Sequence, residues 1–161
     1  MADDLQLGVI GNCAFGALID RQGDVVWCCL PRFDGDPVFA RLLDGGGGNR
    51  DDGAYRIELA GFARAEQEYL ANTAVLVTRL FAADGSAVEL TDFAPRFFQH
   101  GRTYRPTMIV RMVRPIAGIP RVRIAIRPRY EYGAQAPEIT HGSNHIRYVG
   151  PHFAMRLTTN A

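Results

Sequence analysis

The sequence predicts an all-β protein: an antiparallel β-sandwich with one short helix. Three observations carry that prediction. Roughly ten short apolar or alternating segments read as strands. Turn signals rich in Gly, Pro and Asp separate them throughout. No helical stretch is available to serve as the crossover that a parallel sheet requires. At 161 residues, the chain is long enough for a single domain, 1–161, with a real core.

Ala14–Asp20 and Val25–Leu30 are apolar runs separated by Arg21-Gln22-Gly23-Asp24, a hairpin signal. Tyr55, Ile57 and Leu59 alternate with Arg56 and Glu58, the pattern of a half-buried strand. Ala74–Ala82 is apolar and β-branched, and Asp84-Gly85 turns it into Ala87–Phe93. Thr107–Val113 and Arg121–Arg127 are joined by Arg114–Pro120, a loop rich in Pro and Gly. In the second of these, Val122, Ile124 and Ile126 face one way and Arg121, Arg123 and Arg127 the other. His145–Val149 and His152–Leu157 form a last pair around Gly150-Pro151, with Phe153, Met155 and Leu157 as an apolar face. The one expected helix runs from Asp36 to Gly45. Asp36 fits an N-cap, Pro37 the first helical position and Gly45 the stop, and Val38, Phe39, Leu42 and Leu43 supply an apolar stripe.

Apolar residues make up 47% of the chain and the formal net charge is +1. The first excludes a disordered chain, and the second leaves no overall field to draw it to nucleic acid or a membrane. All 18 basic residues are arginine. A phosphate loop with its lysine and a Schiff-base lysine are therefore both excluded. No apolar run approaches the length of a membrane span, and "MADDLQLGVIGNC" lacks the basic start of a secretory signal. Cys13, Cys28 and Cys29 lack metal-type spacing, and adjacent strand cysteines point to opposite faces. The expectation is three buried thiols in a reducing cytoplasm, with no cofactor and no metal.

Arg32-Phe33-Asp34 stands bare between the proline that ends a strand and the expected helix. A planar donor fork, an apolar face and an acceptor side by side suit recognition of a sugar. The same triplet suits a tertiary anchor, with Phe33 plugging the core and Arg32 paired with Asp34 or a neighbouring domain. The residues alone leave both readings open. Asp34 and Asp36 have the chemistry of an acid–base pair, but helix capping already accounts for Asp36. His141 and His145 would align as metal ligands on a helix, yet Gly142, Ser143 and Asn144 make the segment a turn. Arg121, Arg123, Arg127 and Arg129 lack the interleaved aromatics that stack bases, and read as a solvated or domain-contact face. Gly45–Gly48 follows the expected helix rather than preceding it, the wrong end for an anion. Ser86 and Ser143 have no nucleophile-elbow context.

Several motifs in order carry a family resemblance. "IGNCAFGALIDRQGDVVWCCLPRFD" resembles the opening of bacterial and archaeal proteins of glycoside hydrolase family 15, the glucoamylase, glucodextranase and trehalase-like group. "VFARLLD", "YLANTAVLVTR", "TDFAPR" and "RPRYEYG" follow as similar family segments. There are departures: Gly35-Asp36 stands where the family has Ser-Pro, Val26 where an Asp often precedes the Trp, and Ala74 where Asn is common. The resemblance implies a large supersandwich-like N-terminal domain, followed by an (α/α)6 barrel that carries a general acid and a general base and inverts at the anomeric carbon. On that view the chain is an accessory domain of an α-glucoside hydrolase and hydrolyses nothing alone. It packs on its own C-terminal catalytic barrel and meets the α-glucoside only in the full-length enzyme, where Arg32, Phe33 and Asp34 form the substrate-proximal loop. Two other readings stay open: a free-standing carbohydrate-binding module, and a structural or interaction domain unrelated to sugars. A module usually shows exposed aromatics, whereas Trp27 lies in an apolar strand and is expected buried. A sandwich cut from its barrel is also expected to self-associate through the exposed interface.

Overall fold

The computed structural model describes residues 6–43, 49–152 and 154–160. The strands in chain order are β1 (Gly8–Gly11), β2 (Gly16–Ile19), β3 (Val25–Cys29), β4 (Pro37–Phe39) and β5 (Ala54–Leu59). Next come β6 (Phe62–Tyr69), β7 (Leu76–Ala82), β8 (Ala87–Phe93), β9 (Phe97–Gln99) and β10 (Arg102–Tyr104). The last are β11 (Val110–Ala117), β12 (Val122–Arg127), β13 (Glu138–His141), β14 (His145–Val149) and β15 (Ala154–Thr158). One sheet runs β1-β2-β3-β5-β12, with β4 added alongside β3; the second runs β11-β8-β7-β6. The hairpin β9–β10 and the three-stranded sheet β13-β14-β15 complete the fold. Every pairing is antiparallel, as the sequence predicts. No helix among the described residues is long and apolar enough to cross a membrane.

Local chemistry explains the hairpins. The Asp20 carboxylate accepts the amides of Gln22 and Asp24, both at 2.9 Å, and Gly23 takes φ 81°, a conformation open to glycine without strain. The β7–β8 turn repeats the device: Asp84 accepts both the amide and the hydroxyl of Ser86, and Gly85 has φ 86°.

The core has two parts. Ile10, Phe15, Ile19, Val25, Val38 and Leu76 lead one cluster; Ile57, Leu59, Leu80, Ala82, Val88 and Leu90 form the other. Inner positions of β7 and β8 alternate with a charged outer face, where Glu68, Arg79, Glu89 and Arg114 form a ladder of ion pairs across four strands.

Two expectations are corrected. The helix expected from Asp36 to Gly45 does not form over its described residues, 36–43: Pro37–Phe39 is β4, in register with Cys28 and Cys29, and the helical geometry there is one 3-10 turn at Arg41–Leu43. Pro37, Val38 and Phe39 are all buried, so strand pairing and burial on both faces override a helical stripe, and Asp36 has no helix to cap. Gly45–Gly48 and Phe153 lie outside the described residues. Second, Arg114–Ala117 is strand rather than loop. It extends β11 along the edge of its sheet, where Pro115 is tolerated, and the chain then crosses to the other sheet as β12. Val122, Ile124 and Ile126 do face one way, opposite Leu59, Ile57 and Tyr55 on β5, with Val122 and Ile124 exposed on this edge strand.

Candidate functional site

Arg32-Phe33-Asp34 follows β3 after a cis Leu30–Pro31 peptide and is exposed throughout. The Arg32 fork closes on Asp34: Nε donates to Oδ1 at 2.9 Å and Nη2 to Oδ2 at 2.8 Å. The Gly35 amide donates to the Arg32 carbonyl at 3.1 Å and tightens the turn. Phe33 does not plug the core; it is 63% exposed. One edge of its ring lies over Gly16 at the start of β2, where a Cβ would come within 3.0 Å of the ring. The loop thus presents a preformed ion pair and an aromatic face, held against the backbone at the mouth of the β1–β2 turn.

That turn, residues 12–15, organises the same end of the molecule. Asn12 is buried, and its amide nitrogen donates to the carbonyls of Pro95 (3.1 Å) and Pro106 (2.8 Å). Its oxygen accepts the Ala14 amide at 3.1 Å. Pro95 and Pro106 are the two roots of the β9–β10 hairpin, so a single side chain clamps both. Arg96 Nη1 donates to Cys13 Sγ at 3.5 Å and ties one root to the turn again. A cleft of about 500 Å³ lies here, lined by Asn12, Cys13, Thr73, Phe93, Arg96 and Phe97, among others. Three of the sequence motifs, around Gly11-Asn12, Thr73-Ala74 and Phe93–Arg96, converge on it. The triplet after Pro31 adjoins the same turn through Gly16.

Elsewhere, charge is used to hold strands together. Arg111 spans the two sheets: it pairs with Asp92 (Nε to Oδ1, 2.8 Å), donates to the carbonyls of Tyr55 (2.9 Å) and Gly23, and lies over the Tyr55 ring. On the other face of β5, Arg56 pairs with Asp24 (2.7 Å), Asp51 (2.9 Å) and Glu58 (2.6 Å). Arg123 joins Asp51 and Glu58. The hydrogen bond from Arg123, with Arg56 behind it, holds the Asp51 carboxyl down to about 2. Since that value lies below the ordinary 3.8, the stabilisation it brings is complete above that pH and is lost as pH falls through about 2. Asp51→Asn is therefore expected to destabilise the protein at about pH 6, with a deficit that shrinks steadily from about pH 4 to pH 2. Urea unfolding across that range measures it, and a deficit independent of pH would count against the ion pair.

Arg123 and Arg129 of the expected arginine face are engaged by acids, Arg129 through Asp52 at 2.9 Å. His145 Nδ1 lies 3.1 Å from Asn144 Oδ1, and no group of three or more His, Cys, Asp or Glu that could hold a metal ion exists among the described residues. Cys28 and Cys29 are buried as expected, and burial pushes the Cys28 thiol up to about 12. Cys13, however, is exposed. Trp27 is only half-buried. The β9–β10 hairpin escaped the sequence reading. Its signal was His100-Gly101 between aromatic residues, and both take positive φ (49° and 73°), as a two-residue hairpin turn demands.

Fold and site together define an all-β sandwich domain with an exposed loop and a clamped hairpin at one end. The comparisons with known proteins place it further: the chain belongs to the family described as "Trehalase-like, N-terminal", whose profile matches residues 5–160. It is 32% identical over 145 residues to Trehalase 1 of Sulfolobus acidocaldarius, covering 90% of this chain and 23% of that protein. It is 30% identical over 135 residues to a trehalase of Thermoplasma volcanium, covering 82% and 20%. A trehalase of Mycolicibacterium smegmatis is 26% identical over 176 residues, covering 95% and 25%. The chain thus spans a fifth to a quarter of the length of these curated relatives. No solved structure matches.

Proposed function

We propose that this chain is the accessory N-terminal domain of an inverting α-glucoside hydrolase of glycoside hydrolase family 15, packed on a catalytic barrel in the full-length protein. One observation carries the reading: a domain profile covers residues 5–160, while trehalases share only 20–25% of their length with the chain. The barrel supplies the general acid and base, and this domain supplies a rigid wall with the Arg32–Asp34 loop at the active-site mouth. Trehalose is the first substrate to test, because the three relatives are named trehalases.

The loop is suited to that place. Its ion pair is closed in advance, and its solvent-facing atoms and the Phe33 ring offer hydrogen bonds and an apolar face to one sugar ring. In the full-length enzyme, Arg32→Ala and Asp34→Ala are expected to raise KM for trehalose by about tenfold, the effect of one charge-assisted hydrogen bond. The melting temperature should stay within about 1 °C, because exposed ion pairs contribute little to stability. If KM, kcat and melting temperature all stay at wild-type values, the loop does not reach the substrate. The exposed aromatics Phe33 and Phe98 keep a carbohydrate-binding module as a second reading. Sub-millimolar binding of trehalose, maltose or isomaltose by this chain alone would favour it.

A further inference from the structure

The β9–β10 hairpin is the least self-sufficient part of the fold. Every residue from 96 to 105 is exposed, and Phe98 is 73% exposed. β9 and β10 pair only with each other, three residues to each strand. A lone two-stranded ribbon is marginal in water and gains independent stability only from a further strand or a packing surface. This one is held at its roots by Asn12 and along its length by the stacked rings of Phe97 and Tyr104, 5.3 Å apart and 13° from parallel. It is a prepared arm whose outer surface has no counterpart among the described residues.

Its charge indicates the counterpart. Between Asp92 and Glu131 the sequence carries nine arginines and no Asp or Glu. Arg111, Arg114, Arg123 and Arg129 of that stretch are paired with carboxylates from other segments. Arg96, Arg102 and Arg105, on the arm, form no ion pair among the described residues. Exposed aromatic rings on a ribbon that carries guanidinium groups without carboxylate partners have the composition of an interface hot spot, and their complement is an apolar pocket bordered by carboxylates.

The geometry points to residues 96–105 as a docking arm that seats on a carboxylate-rimmed apolar surface of the catalytic portion of the same protein. This rests on the accessory-domain reading above and names the part of the domain that makes the contact. The occupant is a protein surface rather than a sugar because residues 96–105 carry three arginines and no carboxylate, a concentration of positive charge that a carboxylate-bordered surface complements and a neutral sugar does not.

The test compares trypsin cleavage at Arg96 and Arg102 in the full-length protein and in the 161-residue chain, with trehalose hydrolysis assayed in parallel. The expected result is cleavage at least tenfold slower in the full-length protein. Phe98→Ser and Arg102→Glu, made separately, should each speed cleavage at Arg96 in the full-length protein by about tenfold and leave the circular dichroism of the 161-residue chain unchanged. Equal cleavage rates in the two proteins overturn the arm even if trehalose is hydrolysed. Absence of α-glucoside hydrolysis by the full-length protein instead overturns the reading on which the arm rests. Two other results overturn the proposed occupant: a dimer of the 161-residue chain that Arg102→Glu dissociates, or trehalose protecting that chain at Arg102.

Discussion

Arg111→Ala is expected to destabilise the protein by about 3–5 kcal/mol, the range for removing one partner of a buried ion pair. Asp92 is fully buried, and its two oxygens take Arg111 Nε at 2.8 Å and Nη2 at 3.1 Å. Truncation leaves that carboxylate in the interior without its counter-charge. It also strips the carbonyls of Tyr55 and Gly23 of a donor, and those lie on the opposite sheet and on the β2–β3 turn. Two sheets therefore lose their polar tie at once. At this chain length, a loss of that size lowers the melting temperature by roughly 10 °C or more. Asp92→Asn in the Arg111→Met background should recover part of the loss by removing the stranded charge. Recovery stays incomplete, because neither replacement reaches the two carbonyls. Thermal unfolding of the three variants decides the matter. A single variant within about 1 kcal/mol of wild type would mean that water or a neighbour satisfies Asp92.

Arg111 also shows what a sequence pattern conceals. In "MIVRMVRP", it reads as the polar member of an alternating strand, one arginine among several. Its register with Asp92 and its reach to Gly23 come from pairing two segments 19 residues apart and packing a third against them. Other features were legible because their causes are local. Asp20 and Gly23 shape one turn within five residues, and Asp84 and Gly85 another, so both hairpins could be read directly. The 36–45 segment failed for the opposite reason. Its cap and stripe are local helix signals, but Val38 and Phe39 are buried by pairing with β3 and by a core whose members Leu76, Ala94 and Tyr130 come from far along the chain. β6 was invisible because it is an edge strand with no buried residue, and its place is fixed by pairing with β7 rather than by apolar alternation. At the end of the molecule that holds the proposed site, the triplet after Pro31 is legible as a candidate, and its internal pairing is one of the two arrangements the residues suggest. The arm beside it was not, since Asn12 reaches it across 83 and 94 residues of sequence.

That reach makes Asn12→Ala the second large effect. Three hydrogen bonds of a buried side chain are lost: two to the hairpin roots and one to the Ala14 amide. At roughly 1 kcal/mol each, with extra cost for acceptors left dry, the expected destabilisation is about 2–4 kcal/mol. The location of the damage should distinguish it from a general core defect. Ile10 and Phe15, on either side of the turn, pack in the core without help from Asn12, so the two sheets should keep their pairing. The hairpin roots at Pro95 and Pro106 lose their clamp, and the 96–105 arm should be cut by trypsin faster than in wild type well below the melting temperature. Asn12→Asp keeps the acceptor for Ala14 but turns an oxygen toward both proline carbonyls, so it should free the arm at least as much. Asn12→Gln keeps the donor and displaces it by one methylene, and should fall between wild type and alanine. If all three variants melt lower while the arm is cut at the wild-type rate, Asn12 serves the core alone. If arm cleavage rises in the order Gln, Ala, Asp, then one buried amide sets how firmly the domain holds the 96–105 hairpin.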